Sequence, residues 1–272
     1  GSRIFLTGGT GFFGKWLLRS FLRLRQSCDA DVSLTVLSRD PKRFLDSHPE
    51  FSGQAGLDYI EGDVRSFTLP AARTFDFVIH GATTASAKME QEDPDEMYSV
   101  ITEGTGHVLE FTQRCAATRL LFISSGAVYG VQPPTLSHIP ETYEGDPTTA
   151  YGKGKKVSEQ LCLAASDGRF ECVIARPFAF VGPYLPLDAH FAIGNFIRNA
   201  LDGKPVDVKG DGRPYRSYQY AADLAVWLWT LLLSGANGTA YNIGSSQAIS
   251  IAQLARLVAD LQTPSASVLI HG

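Results

Sequence analysis

Tyr151 and Lys155 stand four residues apart in Tyr151-Gly152-Lys153-Gly154-Lys155. On a helix that spacing puts both side chains on one face. A free phenol titrates near about 10 and is a poor base at neutral pH. A neighbouring ammonium favours the phenolate, so the pair reads as a proton acceptor with its electrostatic partner. Upstream lies Phe122-Ile123-Ser124-Ser125-Gly126-Ala127-Val128-Tyr129-Gly130, an apolar run ending in two hydroxyls. Ser125 is expected to hydrogen-bond the substrate oxygen that Tyr151 deprotonates, and Ser124 to be a structural turn hydroxyl. A Tyr-x-x-x-Lys pair alone is common on exposed helix faces; its weight here comes from the residues around it.

The third element of the set is Thr7-Gly8-Gly9-Thr10-Gly11-Phe12-Phe13-Gly14, between a strand-like run and a helix-like one. Gly8, Gly11 and Gly14 allow a tight turn whose backbone N–H groups approach a pyrophosphate, with the positive end of the helix behind them. The reading is a dinucleotide site that includes Phe12 and Phe13. A carboxylate at the end of the second strand favours the free 2′-hydroxyl of NAD, and a basic residue the 2′-phosphate of NADP. Ser38 and Arg39 occupy that place, which tips the expectation towards NADP. The plainer alternative is a solvated Arg39, with Asp40 capping the turn before Pro41. Asp63 and Val64 are expected near the adenine, unless Asp63 is a simple turn residue. Gly81 and Ala82 end the fourth strand and join the cofactor set. A bound nicotinamide would further favour the Tyr151 phenolate by its positive charge, and Lys155 would reach its ribose.

These residues need a scaffold that brings strand ends together. Short continuous apolar runs, near residues 4–6, 32–37, 57–60, 75–80, 120–123 and 172–175, alternate with helical patterns over 16–25, 96–114 and 151–165. Strands without polar alternation are covered on both faces, which predicts an α/β fold: a Rossmann doubly wound parallel sheet. Residues 1–177 are read as the dinucleotide domain. Residues 178–272 are read as a smaller mixed α/β substrate-binding part, some segments of which return to the first. Helices are expected over 191–201, 221–233 and 250–261, the last with Ser250 as N-cap. Trp16, Leu17, Phe21 and Leu24 are expected on the inner side of the first helix. Trp227 and Trp229 are expected in the core, and Tyr215, Tyr218 and Tyr220 on a half-buried strand.

Composition closes off several alternatives. The 272 residues carry 24 Lys+Arg against 28 Asp+Glu, a net charge of −4, which argues against a nucleic-acid partner. The longest apolar stretch, Ala225 to Leu233, falls short of the roughly 20 residues of a membrane span, so no membrane partner is expected. The four cysteines, at 28, 115, 162 and 172, include no Cys-x-x-Cys pair; free, mostly buried thiols in a reducing cytoplasm are expected. No two of the six histidines flank a carboxylate at helical spacing, so no metal site is expected.

With these residues in view, the chain resembles the extended short-chain dehydrogenase/reductases, and within them the NAD-dependent epimerase/dehydratase family that acts on nucleotide sugars. The resemblance runs through the glycine turn, Gly62-Asp63-Val64, His80-Gly81-Ala82, Gly104-Thr105, Ser124-Ser125, Tyr151 to Lys155, Arg176-Pro177-Phe178, Gly210-Asp211-Gly212 with Tyr215-Arg216-Ser217, and Tyr241-Asn242-Ile243-Gly244. It implies an NAD- or NADP-dependent enzyme whose substrate is a nucleotide-diphosphate sugar oxidised at C4. Tyr151 would be the base, Lys155 its partner, Ser125 the orienting hydroxyl, and Arg216 the diphosphate ligand. It also implies a homodimer built on the helices near 96–114 and 151–165, and sugar supply for surface polysaccharide or lipopolysaccharide. Four positions depart from the family pattern. Gly126 and Ala127 stand where dehydratase and decarboxylase branches carry acidic residues. Ala179 and Ile101 stand where Asn is usual. The missing acids favour an epimerase-type reaction, with an NADPH-dependent 4-ketosugar reductase next and a 4,6-dehydratase third. The alternative from another class is a non-catalytic NAD(P)-binding regulator.

Overall fold

Short apolar runs form the strands, and helices amphipathic at a 3.6-residue period cover them. In a computed structural model that describes all residues except 29, 70–72, 84–86, 167 and 190, the chain begins β1 (Ser2–Thr7), α1 (Phe12–Ser27), β2 (Val32–Ser38), α2 (Pro41–Ser47), β3 (Leu57–Glu61) and β4 (Phe77–His80). It continues α3 (Ala87–Glu92), α4 (Pro94–Arg114), β5 (Arg119–Ile123), α5 (Ala150–Ala165), β6 (Glu171–Pro177) and β7 (Ala179–Val181). Then come α6 (Ala192–Leu201), β8 (Val206–Val208), β9 (Tyr215–Arg216), β10 (Tyr218–Tyr220) and α7 (Ala221–Ser234). The remainder is β11 (Thr239–Ile243), β12 (Ile249–Ser250), α8 (Ile251–Asp260) and β13 (Val268–Ile270).

These elements form two units. The first comprises Gly1–Pro177 and Ala225–Ile243, the second Phe178–Leu224 and Gly244–Gly272. The first unit is a seven-stranded sheet in the order β11-β6-β5-β4-β1-β2-β3, parallel at every pairing. This is the Rossmann doubly wound arrangement. Its central strands are buried on both faces: Phe5, Leu34, Val36, Val78, Leu120 and Phe122 are fully inaccessible, which is why their sequences run apolar without alternation. On one face Phe5 stacks 5.4 Å from Phe67 and 4.6 Å from Phe111, at the foot of α4. Strand order reverses between β1 and β4, and sheets of this kind bind ligands at the crevice outside the carboxyl ends of such strands.

Two core expectations need correction. Leu24 is 48% exposed; it lies in the closing turns of α1, where Arg23, Gln26 and Ser27 are exposed as well. Trp227 is 44% exposed. The inward stripe of α7 is Leu224, Leu228 and Leu232, which leaves Val226, Trp227 and Leu233 outward. Trp229 is partly buried and its Nε1 donates to Ser20 Oγ at 2.7 Å.

The second unit has three two-stranded sheets, β7 with β10, β8 with β13, and β9 with β12. Helix α6 buries Ile193, Phe196 and Ala200, and α8 buries Leu254, Ala255 and Val258. Ser250 caps α8 in a reciprocal box: its side chain accepts from Gln253 N while Gln253 Oε1 accepts from Ser250 N, the arrangement that satisfies two otherwise free donors. Among the described residues no helix is long and apolar enough to cross a membrane.

Candidate active site

The glycine turn connects β1 to α1 at the point where strand order reverses. Gly8 has φ +80°, and a Cβ there would lie 2.5 Å from the Gly81 backbone, so the two strand ends approach as closely as backbone allows. At Gly14 a Cβ would meet Gly8 O at 2.3 Å; this glycine lets α1 start against the turn. Gly11 differs. Its added Cβ would touch only Gly8 O, at 3.4 Å, so packing within the protein does not demand glycine there. A backbone that must approach a phosphate does. Phe12 and Phe13 are partly buried, their rings 5.6 Å apart. Beyond Gly81 and Ala82, the buried Thr83 hydroxyl has no hydrogen-bond partner among the described residues. A cradle with one unforced glycine and one orphan hydroxyl fits a dinucleotide.

A buried chain of hydrogen bonds anchors this turn. Thr7 Oγ1 accepts from Ala82 N at 3.1 Å, which leaves its proton for His80 Nδ1 at 2.7 Å. His80 Nε2 then donates to Thr105 Oγ1 at 3.0 Å, and Thr105 donates to Ile101 O at 2.7 Å. Ser158 on α5 joins the same group through Thr105 at 3.0 Å. Ile101 is 2% exposed and packs on Gly154 of α5, so the departure from Asn serves the α4–α5 contact. Burial, and secondarily the Lys155 charge, lowers the His80 pKa to about 3. The unfolded chain therefore takes up a proton that the native one refuses. The associated stability is complete above about pH 6.5 and is lost as pH falls towards 3. Urea unfolding from about pH 6.5 to about 4.5 should show the parent losing roughly 1.4 kcal/mol per pH unit more than His80→Gln. Parallel pH dependences would contradict the neutral buried imidazole.

Helix α5 begins at Ala150 with Thr149 as N-cap, its Oγ1 accepting from Gly152 N at 3.0 Å. It carries Tyr151 in its first turn and Lys155 one turn later. Ser125 ends the loop after β5; its Oγ accepts from Ala127 N at 3.1 Å, and its hydroxyl is close enough to the Tyr151 phenol to influence its proton. Burial raises the Tyr151 pKa, and the Ser125 bond opposes that rise. Lys155 is 1% exposed; its Nζ donates to Ile123 O at 2.9 Å and lies 5.9 Å from the centre of the Tyr151 ring. Burial lowers its pKa to about 8, so it keeps its charge at neutral pH. In the protein alone the expected lowering of the phenol by Lys155 is not seen: the cost of burying a phenolate raises its pKa.

A second layer escaped the sequence reading. Ser124 donates to Glu159 Oε1 at 2.5 Å. Arg176 grips the same carboxylate with two bonds, Nε to Oε1 at 2.9 Å and Nη2 to Oε2 at 2.7 Å. Arg176 Nη1 also reaches the Tyr129 hydroxyl at 2.7 Å, and Tyr129 donates to Asn242 Oδ1 at 2.7 Å. Helix α5, both ends of the Ser125 loop, β6 and β11 are thereby tied together. Arg176 and Asn242 lie in motifs already noted, but their partner Glu159 carries no local signal.

The remaining predicted site residues fall as follows. Ser38 is 8% exposed and Arg39 is exposed. Asp40 caps α2, accepting from Arg43 N at 2.9 Å. Asp63 is bound to Arg65, through N at 2.9 Å and Nε at 3.2 Å. Those hydrogen bonds, the backbone one foremost, lower its pKa. The Val64 side chain is 8% exposed, and a Cβ on Gly104 would meet it at 2.8 Å. Arg216 belongs to the second unit, is exposed, and donates to Tyr215 O at 2.7 Å. Among the described residues no group of three or more His, Cys, Asp or Glu can hold a metal ion; His190 lies outside them.

Fold and site define a dinucleotide-binding protein of the extended Rossmann type. Residues 4–244 match the model of the NAD dependent epimerase/dehydratase family, and the chain belongs to that family. It is 30% identical to UDP-glucuronic acid decarboxylase 1 of Xenopus tropicalis over 266 residues, covering 95% of this chain and 60% of that protein. Among solved structures it is similar to Pal from Bacillus thuringiensis, at 26% identity and a TM-score of 0.85, covering 99% of this chain and 86% of that one. It is also similar to MoeE5 in complex with UDP-glucose and NAD, at 25% identity and a TM-score of 0.80, covering 99% and 85%.

Proposed function

We propose that this chain is an NAD(P)-dependent enzyme that oxidises a nucleotide-diphosphate sugar at C4 in an epimerase-type reaction. The observation that carries the reading is the Ser125–Tyr151–Lys155 set at the carboxyl edge of the same sheet as the glycine turn. When bound, the nicotinamide supplies the acceptor and donor of hydride. The protein's own residues handle the proton. Ser125 fixes the sugar hydroxyl, Tyr151 takes its proton, and the buried Lys155 charge stabilises the phenolate that receives it. Gly8, Gly11 and Gly14 would receive the pyrophosphate with Phe12 and Phe13 beside them, and Gly81, Ala82 and Thr83 would line the opposite strand end. Arg216 is assigned to the substrate diphosphate, which a guanidinium suits by its paired donors. Arg39 in place of an acidic residue supports NADP; the likeness to the NAD complex of MoeE5 supports NAD.

Gly126 and Ala127 form the turn immediately after Ser125 and offer no side chain that can give or take a proton. Water elimination at C5 and C6 has no carboxylate there, which favours return of hydride to C4 over dehydration. A second reading, decarboxylation of a UDP-uronate, is supported by the likeness to UDP-glucuronic acid decarboxylases. A 4-keto uronate is a β-keto acid and loses carbon dioxide without a base at C5. The deciding experiment follows UDP-glucuronate, UDP-glucose and dTDP-, CDP- and GDP-sugars by NMR, each with NAD and with NADP. Inversion at C4 without net cofactor use is the expected result. A pentose product with carbon dioxide would move the assignment to the second reading. A 4-keto-6-deoxy product would overturn both, and dinucleotide binding without turnover would make the chain a regulator. We also read the chain as a cytoplasmic homodimer. Tyr98 of α4 and Leu161 of α5 are each 37% exposed, and the cysteines are free.

A further inference from the structure

A helix start leaves four N–H groups with no partner inside the helix, and in α5 three of them, on Ala150, Tyr151 and Gly152, follow the N-cap. Thr149 takes one of them, Gly152 N. The other two are those of Ala150 and of Tyr151 itself. Both go to one side chain: Glu90 Oε1 accepts from Ala150 N at 2.6 Å and Oε2 from Tyr151 N at 3.0 Å. Glu90 sits in α3, sixty residues earlier in the chain, and is partly buried. Two adjacent N–H donors matched to two carboxylate oxygens is a geometry that an amide side chain cannot reproduce, because one of its ends is itself a donor. The negative charge also meets the positive end of the helix.

We propose that Glu90 is a positioning residue for Tyr151: its carboxylate pins the backbone of the first turn of α5, and with it the point from which the phenol reaches Ser125. The proposal rests on the reading of Tyr151 as proton acceptor. Without the carboxylate, Ala150 and Tyr151 lose their only protein partners for these donors among the described hydrogen bonds, and the turn can fray to water. The remainder of α5 is held by Lys155, Ser158 and Glu159 through their own buried bonds. The effect is therefore local to the residue that does chemistry.

The test compares Glu90→Gln, Glu90→Ala, Tyr151→Phe and a neighbouring control, Glu92→Gln, whose side chain is 65% exposed. Hydrogen exchange should show the Ala150 and Tyr151 amides of Glu90→Gln exchanging at least about tenfold faster, with the amides from Lys155 onward unchanged. On the nucleotide sugar that the panel above turns over fastest, kcat should fall about tenfold with KM within about twofold, the signature of lost alignment. Formate added to Glu90→Ala should restore protection and turnover together. Unchanged exchange at both amides overturns the proposal, and so does faster exchange with an unchanged kcat. Normal turnover by Tyr151→Phe would instead remove the base assignment, while the exchange result still reports on the cap.

Discussion

Tyr151→Phe is expected to lower kcat about a thousandfold and to leave KM nearly unchanged. The two effects separate because the phenylalanine ring retains the packing of the tyrosine and only the hydroxyl is lost. That hydroxyl is the group through which Ser125 acts on the phenol, and it sits on a ring whose centre lies 5.9 Å from the buried Lys155 ammonium. No other described side chain shares both contacts. Loss of a proton acceptor used only in the transition state lowers kcat and kcat/KM together. Steady-state kinetics on the substrate that the NMR panel identifies would measure both. Activity within about fivefold of the parent would remove Tyr151 from the mechanism.

Glu159→Ala is expected to cost about 3–5 kcal/mol of folding stability. The mutation leaves the Arg176 guanidinium in place, with its side chain 13% exposed beside a partner that is only 6% exposed. An unpaired buried charge is far worse than a lost surface ion pair, because the guanidinium keeps its desolvation cost and loses what offset it. Ser124 loses its acceptor as well. For a chain of this length the midpoint of thermal unfolding should fall by roughly 10 °C. Glu159→Gln should cost less, since one oxygen remains to accept from Arg176. A loss below about 1 kcal/mol, the value of an ordinary surface pair, would mean that the site rearranges to let water reach Arg176.

Local signals carried much of the fold. The run into Gly8 and out of Gly14, the strands without alternation, and the Ser250 cap are all written within a few neighbouring residues. The face shared by Tyr151 and Lys155 is likewise set by spacing alone. What stayed hidden depends on pairs far apart in the chain. Glu90 lies in a polar stretch that reads as any exposed helix, and only the fold brings it to Tyr151 N. Glu159 looks like a surface residue of α5 until Arg176 arrives from β6. Asp63, expected near the adenine or as a turn residue, is a local case: its hydrogen bonds go to Arg65, two residues away. Trp227 misled for a different reason: α7 is so apolar that its composition does not say which face is inward.

The sheet itself has a consequence for the way this chain is made. Strand β11 completes the row beside β6, yet residues 178–238, most of them in the second unit, come between the two strands. On a ribosome, at about 5–20 residues per second, the outer edge of β6 waits several seconds for its neighbour. Throughout that interval Val173 and Ala175, fully buried in the finished protein, border an unpaired strand edge of the kind that recruits other chains. The glutamate–arginine clasp between α5 and β6 is already available by then, since both partners precede residue 178. Asn242, which closes the same network through Tyr129, arrives with the last strand. The buried polar cluster therefore begins with α5 and β6 and is completed only when the last-made strand of the sheet arrives.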